Sequence, residues 1–315
     1  MPEIITVTFN PAIDKSISIA ELIPDKKLKC LQPVYEPGGG GINVARAIKK
    51  LGGDAVAIYL AGGDTGRKIT RLLKNDQIES IVIETNESTR ENLIVADIAN
   101  SKQYLFDMPG PEINVQEWQQ CLDTIEELPG VKFIVASGSL PKGVPTDIFA
   151  RIAVIARKKN AKLITDTTGE PLKQAVQAGV YLIKPNLREL AALIGKEELG
   201  IEVVADVARE IIALGKVEAI VVSMGPNGAM LVTKDLVQQI MPPQVHIETT
   251  VGAGDSMVAG IVMSLAENKN LTEAVQYGVA CGTAATMKPG TELCTRDDAA
   301  LLFNIIRSQP LLKAY

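Results

Sequence analysis

The chain has 315 residues, of which 46% are hydrophobic and 22% are charged, and its formal net charge at pH 7 is −5. This length and composition are typical of a globular protein with a well-buried core, built as one large α/β domain or as one domain with an insertion. An acidic chain without a basic stripe is not expected to bind nucleic acid, and any anionic substrate must be met by local cations.

The cysteines and the histidine are too dispersed to form a zinc site at the usual spacing. The four cysteines form no Cys-x-x-Cys pair, and the sequence has one histidine, His246. The cysteines are Cys30, Cys121, Cys281 and Cys294. Scattered reduced cysteines are typical of a cytosolic protein. The sequence has no apolar run long enough to cross a membrane and no signal-peptide pattern at its start. We therefore expect a cytoplasmic protein that does not act in a membrane.

Short β-branched runs alternate with helical patterns along most of the chain. Strands are predicted at residues 4–9, 55–61, 133–136, 163–165, 181–183, 219–223 and 229–232. Helices are predicted at residues 42–51, 65–75, 116–128, 146–159, 171–178, 187–194, 203–214 and 256–266. This alternation predicts an α/β fold with a mainly parallel sheet and helices on both faces. Ligands of such sheets bind at the carboxyl ends of the strands.

Two segments, at about residues 16–36 and 90–108, interrupt this alternation. The first contains an alternating apolar stretch and then a basic run, and the second has the pattern of a β-hairpin with its turn at residues 100–102. A few extra strands cannot form a stable sheet alone. We therefore predict a small β-sheet lid over the substrate site that also serves as a homodimer surface.

A run of four glycines, Gly38 to Gly41, precedes Asn43 and a predicted helix. Glycines allow close approach of a backbone to a ligand, and a helix start offers N–H donors, although a flexible turn is the simpler alternative. The run does not match Gly-x-Gly-x-x-Gly, and the sequence contains no Walker A motif. Nicotinamide-dependent and P-loop enzymes are both disfavoured.

Three polar residues lie where strand ends are expected to meet a ligand. Asp14 follows the first strand, Arg90 precedes the predicted hairpin, and Ser139 follows a buried strand. Arg90 suits bidentate binding of a phosphate. The alternatives are a turn-forming aspartate and a surface salt bridge of the arginine.

Two further loops have features of a nucleotide site. Lys184-Pro185-Asn186 follows a strand, and Glu189 stands three residues after Asn186, the spacing of a helix capping box. The same Asn186 and Glu189 could place a hydrated Mg²⁺, which prefers few protein carboxylates. Residues 223–229 form a strand–turn–strand unit, either a plain hairpin or a backbone-lined slot for a nucleotide.

The segment Thr250-Val251-Gly252-Ala253-Gly254-Asp255 directly precedes a predicted helix. Glycines at a helix start leave N–H donors available for an anion. An aspartate there would accept a proton from a hydroxyl while the loop holds a transferring phosphoryl group. The alternative is that Asp255 is an ordinary N-cap residue.

Taken in order, these motifs resemble the ribokinase-like sugar kinases, also called the PfkB carbohydrate kinase family. The resemblance extends over nearly the entire chain. It is carried by the segments at residues 37–45 and 137–141, by Lys184-Pro185-Asn186-x-x-Glu189, and by residues 250–256. It implies a ribokinase-like, Rossmann-type core with a β-sheet lid, forming one kinase domain over residues 1–315, and dimerisation through the lids.

The resemblance also implies roles for individual residues. Asp255 would be the base, with an ordinary pKa of about 3.9, and Gly252, Ala253 and Gly254 would form the anion hole. The sugar phosphate would contact Asp14, Gly39, Gly40, Gly41, Asn43, Arg90, Asn92, Ser139 and Lys27, the last reaching in from the neighbouring lid. The ATP side would be lined by Lys184, Asn186, Ser223, Gly225 and Gly228. Mg²⁺ would be held near Asn186 and Glu189, largely through water and phosphate, and a monovalent cation, K⁺, would be held mostly by the backbone of Thr249, Val251, Ala285, Lys288 and Gly290.

Within the family, the chain resembles in particular the 6-phosphofructokinases of this fold. The 1-phosphofructokinases and tagatose-6-phosphate kinases usually carry a lysine inside the glycine loop, where this chain has Gly40. We therefore expect transfer of the γ-phosphoryl group of Mg-ATP to the 1-hydroxyl of fructose 6-phosphate. The alternatives are those two sugar-phosphate kinases, a ribose or nucleoside kinase, and a non-catalytic sugar-phosphate sensor.

Overall fold

Strands and helices alternate along the chain in the computed structural model, which describes residues 3–214 and 216–309. The strands are β1 (Ile4–Thr8), β2 (Ala12–Ile19), β3 (Val34–Gly38), β4 (Val56–Ala61), β5 (Glu79–Glu84), β6 (Arg90–Asp97), β7 (Lys102–Phe106), β8 (Phe133–Ser137), β9 (Lys162–Asp166), β10 (Val180–Ile183), β11 (Val217–Ser223), β12 (Ala229–Thr233) and β13 (Val237–Ile240). The helices are α1 (Gly40–Lys50), α2 (Gly63–Asn75), α3 (Val115–Glu127), α4 (Ile148–Lys159), α5 (Gly169–Ala178), α6 (Leu187–Leu193), α7 (Val204–Ala213), α8 (Ala253–Ala266), α9 (Leu271–Thr286) and α10 (Arg296–Ser308).

The main sheet has nine strands in the order β13-β12-β11-β10-β9-β8-β1-β4-β5. Neighbouring strands from β11 to β5 in that order pair in parallel, whereas β12 and β13 add to the other edge as antiparallel strands. The predicted mainly parallel sheet is therefore confirmed. Because parallel strands point the same way, the loops after β1, β8, β9 and β10 meet at one edge.

Helices cover both faces of this sheet, as the alternation predicted. One large apolar cluster lies under α3, α4, α5, α6 and α7, a second lies under α1, α8, α9 and α10, and a third, smaller cluster lies between α1 and α2. Neighbouring residues of one strand contribute to opposite cores, as in Ile134 and Val135 of β8, because side chains alternate between the faces of a strand. Strands that are buried on both faces therefore carry apolar residues at nearly every position.

A separate small sheet contains β3, β2, β6 and β7 in that order. The expected hairpin is confirmed as the antiparallel pair β6–β7. Strand β2 is antiparallel to β3 and parallel to β6. The first of the two irregular segments contains more strand than expected, since β2 begins at Ala12 rather than at residue 16.

Several elements differ from the sequence predictions. Strands β5 and β13 and helices α9 and α10 were not predicted, and α8 begins at Ala253, three residues before the predicted start. Trp118 is buried on α3, whereas His246 is exposed beside Glu248. In the part of the chain that the structure describes, no helix is both long and apolar enough to span a membrane.

Candidate active site

Asp255 lies in the first turn of α8, at the carboxyl edge of the main sheet. The N-cap of α8 is Gly252, which has a left-handed backbone (φ 74°) that glycine adopts without strain. The alternative of Asp255 as an N-cap is therefore wrong, because Asp255 is the third residue of the helix. The Ala253 N–H donates to the Thr250 carbonyl at 3.4 Å, whereas the N–H groups of Gly252, Gly254 and Asp255 meet no acceptor among the described residues. They are available to an anion at the positive end of the helix dipole.

The carboxylate of Asp255 is held by the glycine-loop helix. Asn43 of α1 donates its side-chain N–H to Oδ2 of Asp255 at 2.9 Å. Burial, together with the negative charge of Asp166, raises the pKa of Asp255 to about 6, against the lowering effects of Asn43 and Lys184. The expectation of an ordinary pKa near 3.9 is wrong for this reason. The carboxylate still ionises at neutral pH and is a stronger base than an exposed aspartate.

Lys184 is a buried cation beside the N-terminus of α8. Its ammonium lies 3.2 Å from Oδ1 of Asp166, at the end of β9, and a Cβ added to Gly254 would come 3.3 Å from the Lys184 Nζ. Burial lowers the pKa of Lys184, but the carboxylates of Asp166, Glu189 and Asp255 outweigh that effect and raise it overall. Lys184 therefore stays charged where it can face a phosphate.

Asp166 was not among the predicted site residues. It ends a central strand, and Thr167 and Thr168 separate it from α5, so the rule that selected Asp14 would also have selected it. Unlike Asp255, it is not preceded by a glycine-rich loop that would mark it in the sequence. Its backbone also accepts a hydrogen bond from the Gly138 N–H at 3.0 Å, which ties β9 to the Ser139 loop.

Asn186 and Glu189 form the capping box that their spacing predicted. The Asn186 side chain accepts from the Glu189 N–H at 2.9 Å, and the Glu189 carboxylate accepts from the Asn186 N–H at 2.8 Å. Burial raises the pKa of Glu189, and Asp166 adds to this. Within residues 3–214 and 216–309, no cluster of three or more histidine, cysteine, aspartate or glutamate side chains is arranged to hold a metal. Any Mg²⁺ here would rely on water and phosphate oxygens.

The unit around Ser223 is a hairpin between β11 and β12. Its turn, Gly225–Asn227, is a single 3₁₀ turn, and the Ser223 N–H donates to the Pro185 carbonyl at 2.9 Å. A parallel bridge joins Ser223 to Asn186. Gly228 has a positive φ of 75° and packs on the carbonyl of Ile240. The structure thus brings the predicted ATP-side residues to one edge.

Asp14 and Asn92 face each other across the parallel pair β2–β6. The Asn92 amide donates to Oδ1 of Asp14 at 2.9 Å. Burial raises the pKa of Asp14, although the Asn92 hydrogen bond and Arg90 oppose this. Arg90 donates to the carbonyls of Met108 (2.9 Å) and Asn10 (3.2 Å) and pairs with Asp107. The Arg90 side chain is only 9% exposed, so it is not an ordinary surface arginine.

Ser139 joins this group through Asn10. The Asn10 amide donates to the Ser139 Oγ at 3.0 Å, and the Asn10 Oδ1 has no partner among the described residues. Lys27, by contrast, is exposed in the loop between β2 and β3. Of the predicted sugar-side residues, Lys27 is therefore the one that this protomer does not bring to the cluster.

The glycine loop packs tightly against the main sheet. A Cβ at Gly40 would lie 2.3 Å from the Ser137 Oγ and 2.8 Å from the Gly138 N, and one at Gly41 would lie 2.6 Å from the Val7 carbonyl. The glycines are therefore required by the protein's own packing as well as by any ligand. The Thr8 hydroxyl, which accepts from the Ile42 N–H at 2.9 Å, fixes the start of α1.

The model of the pfkB family of carbohydrate kinases matches residues 7–298. The chain belongs to this family. It is 42% identical over 304 residues to the ATP-dependent 6-phosphofructokinase isozyme 2 of Escherichia coli, covering 96% of this chain and 98% of that protein. It is also 31% identical over 315 residues to the 1-phosphofructokinase of Borreliella burgdorferi, covering 98% and 99% of the two chains.

Solved structures of family members confirm the ribokinase-like fold. E. coli phosphofructokinase-2 in complex with potassium superimposes with a TM-score of 0.93 at 41% identity, covering 98% of this chain and all of that one. The complex of the same protein with fructose-6-phosphate gives 0.92 at 40% identity and the same coverage. A pfkB-family kinase is a phosphotransferase, so the predicted class of enzyme is confirmed with the fold.

The segment before α8 and the segment after α9 carry carbonyl groups that could bind a monovalent cation of the kind that the family resemblance implies. The carbonyls of Thr249, Val251, Lys288 and Gly290 accept no hydrogen bond from the described part of the chain. The Ala285 carbonyl differs, because the Lys288 N–H donates to it at 3.1 Å. The Lys288 ammonium is paired with Asp298 at 2.6 Å. Four carbonyl oxygens are therefore free to serve as hard oxygen ligands.

Proposed function

We propose that this protein transfers the γ-phosphoryl group of Mg-ATP to the 1-hydroxyl of fructose 6-phosphate, giving fructose 1,6-bisphosphate and ADP. The observation that carries the proposal is the 2.9 Å bond from Asn43 to Asp255, which fixes a buried base between the glycine loop and the open N-terminus of α8. The similarity to ATP-dependent 6-phosphofructokinases over nearly the full chain supports this substrate.

In the proposed step, Asp255 accepts the proton of the sugar 1-hydroxyl as that oxygen forms a bond to the γ-phosphorus. The bond from the γ-phosphorus to the bridging oxygen breaks, and its electron pair leaves with ADP. The N–H groups at Gly252, Ala253 and Gly254 and the Lys184 ammonium stabilise the negative charge of the transferring group. Asn186, Glu189 and Asp166 would hold Mg²⁺ near the phosphates, largely through water, and the bound ion would neutralise phosphate charge.

The remaining residues position the two substrates. On the sugar side we place Asp14, Gly39, Gly40, Gly41, Asn43, Arg90, Asn92 and Ser139, with Lys27 supplied by a second subunit. On the ATP side we place Lys184, Asn186, Ser223, Gly225 and Gly228. Arg90 is suited to the 6-phosphate because its planar guanidinium is nearly buried and already oriented by two carbonyls.

The space at Gly40 supports fructose 6-phosphate over the substrates of the lysine-bearing subfamilies. A side chain at this position would collide with Ser137 and the Gly138 backbone. A lysine inside this loop would therefore require a different arrangement of the end of β8. Kinases acting on fructose 1-phosphate or tagatose 6-phosphate remain the second candidates, because 1-phosphofructokinases share the fold and about a third of the sequence.

The small sheet supports a homodimer joined through the lids. Val34, Ser16, Ile94 and Leu105 form one row across the four strands, on the same face as Asp14 and Asn92. Val34 is 58% exposed and Leu105 is 55% exposed, so the ends of this row are apolar and open. A second lid packed on this face would cover them and would bring its Lys27 towards the sugar site.

The proposal also includes a K⁺ site and a place for the reaction in the cell. The carbonyls of Thr249, Val251, Lys288 and Gly290, with Ala285 beside them, would hold a monovalent cation next to the anion hole. The potassium complex of the E. coli relative supports this. We place the reaction in glycolysis and in the cytoplasm, where a hexose phosphate and ATP are both present.

The test is ADP release with Mg-ATP against fructose 6-phosphate, tagatose 6-phosphate, fructose 1-phosphate, fructose and ribose. The highest kcat/KM is expected with fructose 6-phosphate. A higher value for another ketose phosphate would keep the mechanism and replace the substrate. ATP binding without turnover on any sugar would favour the sensor instead.

A further inference from the structure

Glu36 lies outside the direct contacts of the proposed mechanism, yet it joins three parts of the site. It is on β3, directly before Pro37 and the glycine loop, and it pairs in register with Asp14 of β2. Its side chain is 17% exposed. Both carboxylate oxygens are used, because Arg46 of α1 donates to Oε1 at 2.8 Å and the Thr291 hydroxyl donates to Oε2.

Thr291 belongs to the loop between α9 and α10, here called the cation loop (residues 287–295). This loop rests on the start of α8, since a Cβ added to the N-cap Gly252 would come 2.7 Å from the Leu293 side chain. The Cys294 N–H also approaches the Ser256 Oγ at 3.5 Å. The same loop carries Lys288 and Gly290, whose carbonyls accept no hydrogen bond from the described residues.

Arg46 of α1 holds the second oxygen of the Glu36 carboxylate. It is 6% exposed, and it donates to the Pro37 carbonyl at 3.1 Å as well as to Glu36. A second carboxylate, Asp76, lies 3.6 Å from the Arg46 Nε but is 48% exposed. Burial would raise the pKa of Glu36, but the hydrogen bond from Thr291 and the charge of Arg46 hold it below its ordinary value. Glu36 is therefore an ionised, nearly buried bridge at neutral pH.

We infer that Glu36 is a positioning residue that couples the cation loop to the sugar site through its hydrogen bond with Thr291. The inference rests on the proposed function for the identity of the cation and the sugar. A cation on the Lys288 and Gly290 carbonyls fixes the cation loop, and Thr291 then holds Glu36. Glu36 in turn holds β3 and the glycine loop in place for the sugar. Cation binding and sugar binding thereby favour each other, and the coupling is reciprocal.

The experiment compares the wild-type protein with Thr291→Val, Glu36→Gln and the double variant. Thr291→Val is the gentler change because Glu36 keeps its pairing with the buried Arg46. Asp76→Asn is the matched control, since it removes a carboxylate from the same arginine without touching Thr291. The KM for fructose 6-phosphate is measured at saturating Mg-ATP across a KCl titration, with choline chloride holding the ionic strength constant.

Removing a hydrogen bond to a charged group is expected to raise the KM for fructose 6-phosphate about tenfold at saturating K⁺, with kcat changed about twofold or less. In wild type and in Asp76→Asn, K⁺ should lower the KM. In Thr291→Val, Glu36→Gln and the double variant, the KM should become nearly independent of K⁺, without additivity in the double variant. An unchanged K⁺ response in Thr291→Val, an equal loss in Asp76→Asn, or a wild-type KM indifferent to K⁺ would each overturn the coupling.

A second readout needs no turnover. Hydrogen–deuterium exchange is followed at the amides of residues 38–43 after addition of KCl alone. K⁺ should slow exchange there in wild type but not in Thr291→Val. Equal slowing in both proteins, or none in wild type, would contradict the inference. If wild type fails to phosphorylate fructose 6-phosphate, the proposed function fails, while the exchange result still decides the coupling.

Discussion

The ionised carboxylate of Asp255 destabilises the folded protein, because it is buried close to Asp166. Its folded pKa of about 6 lies above the ordinary value of 3.8. The stability it contributes is therefore present below the ordinary pKa and is lost as pH rises through about 6. The proposed base therefore carries a charge that lowers the stability of the fold.

Asp255→Asn should separate activity from stability. We expect kcat to fall by roughly 10²–10⁴ with little change in KM, because only proton transfer is lost. We also expect the free energy of unfolding at pH 7.5 to rise by about 1–3 kcal/mol, and the difference from wild type to shrink by pH 4.5. Urea unfolding at the two pH values and steady-state kinetics measure these effects.

The control for that experiment is Asp297→Asn, which changes an exposed aspartate in the first turn of α10. It should leave both turnover and stability near wild type. Turnover of Asp255→Asn close to wild type would remove Asp255 from the role of base.

The pH dependence of kcat/KM should report the same carboxylate. We expect kcat/KM for fructose 6-phosphate to fall as pH drops below about 6, because the free enzyme then carries a protonated Asp255. Asn43→Ala should move the midpoint upwards, since the Asn43 hydrogen bond lowers this pKa. Asn75→Ala, at the exposed end of α2, should leave the midpoint unchanged. A midpoint in Asn43→Ala equal to wild type would contradict this assignment.

Single residues were predictable where a local motif surrounds them. Asp255 follows a glycine-rich loop, and Asn186 precedes Glu189 at capping-box spacing, so their neighbours in sequence indicate their roles. Glu36 could not be found in this way, because its partner Thr291 is 255 positions away in sequence. Asp166 has no such motif around it, and its place at the end of β9 is the one sequence signal for it. The raised pKa of Asp255 likewise depends on burial and on a carboxylate from another strand.

At the scale of elements, periodicity identified most of the strands and helices that lie between clear turns, although it missed α10, which buries one face. Helices α8 and α9 are harder, because both are apolar on nearly all sides. They pack closely through small residues, with Gly260 against the backbone of Gly278. A stretch of this composition has no amphipathic stripe, so α9 was not predicted.

The exposed apolar ends of the row across the small sheet, Val34 and Leu105, give a prediction about assembly. Leu105→Lys should convert the dimer into a monomer, because a charge would be buried between the lids. Activity should fall with it, while circular dichroism stays unchanged. Val115→Lys is the matched control, since Val115 is 60% exposed at the start of α3, outside the small sheet. Sedimentation of wild type as a monomer would refute the dimer, and a dimeric Leu105→Lys would refute this interface.

At the scale of the whole molecule, the proposal predicts that each active site is completed by a second chain. If Lys27 reaches the neighbouring site, mixing Lys27→Ala with Asp255→Asn protein after unfolding and refolding should restore activity. Random pairing makes half of the dimers mixed, and each mixed dimer has one intact site, so about a quarter of wild-type activity is expected. A lysine acting within its own chain would give no recovery, and each variant refolded alone provides the baseline.

The order of the strands in the two sheets could not be predicted from the sequence. The alternation of elements predicted a parallel sheet, but the pairing of β2 with β6 joins two segments whose partners Asp14 and Asn92 lie 78 positions apart. No local pattern encodes this pairing. It depends on how the intervening segment, which contains β4 and β5, folds into the main sheet and so brings β6 beside β2.

That pairing has a consequence for how the chain acquires its structure. Two antiparallel pairs, β6–β7 and β2–β3, can each form locally. The parallel pairing of β2 with β6, which joins them, requires the intervening α1, β4, α2 and β5 to be folded first. The small sheet should therefore be completed late, during or after synthesis of β6. In native-state exchange it should open before the main sheet, as a separate cooperative unit. The part of the molecule that is proposed to recognise the sugar is then also the part that the folded core can release and re-form without unfolding itself.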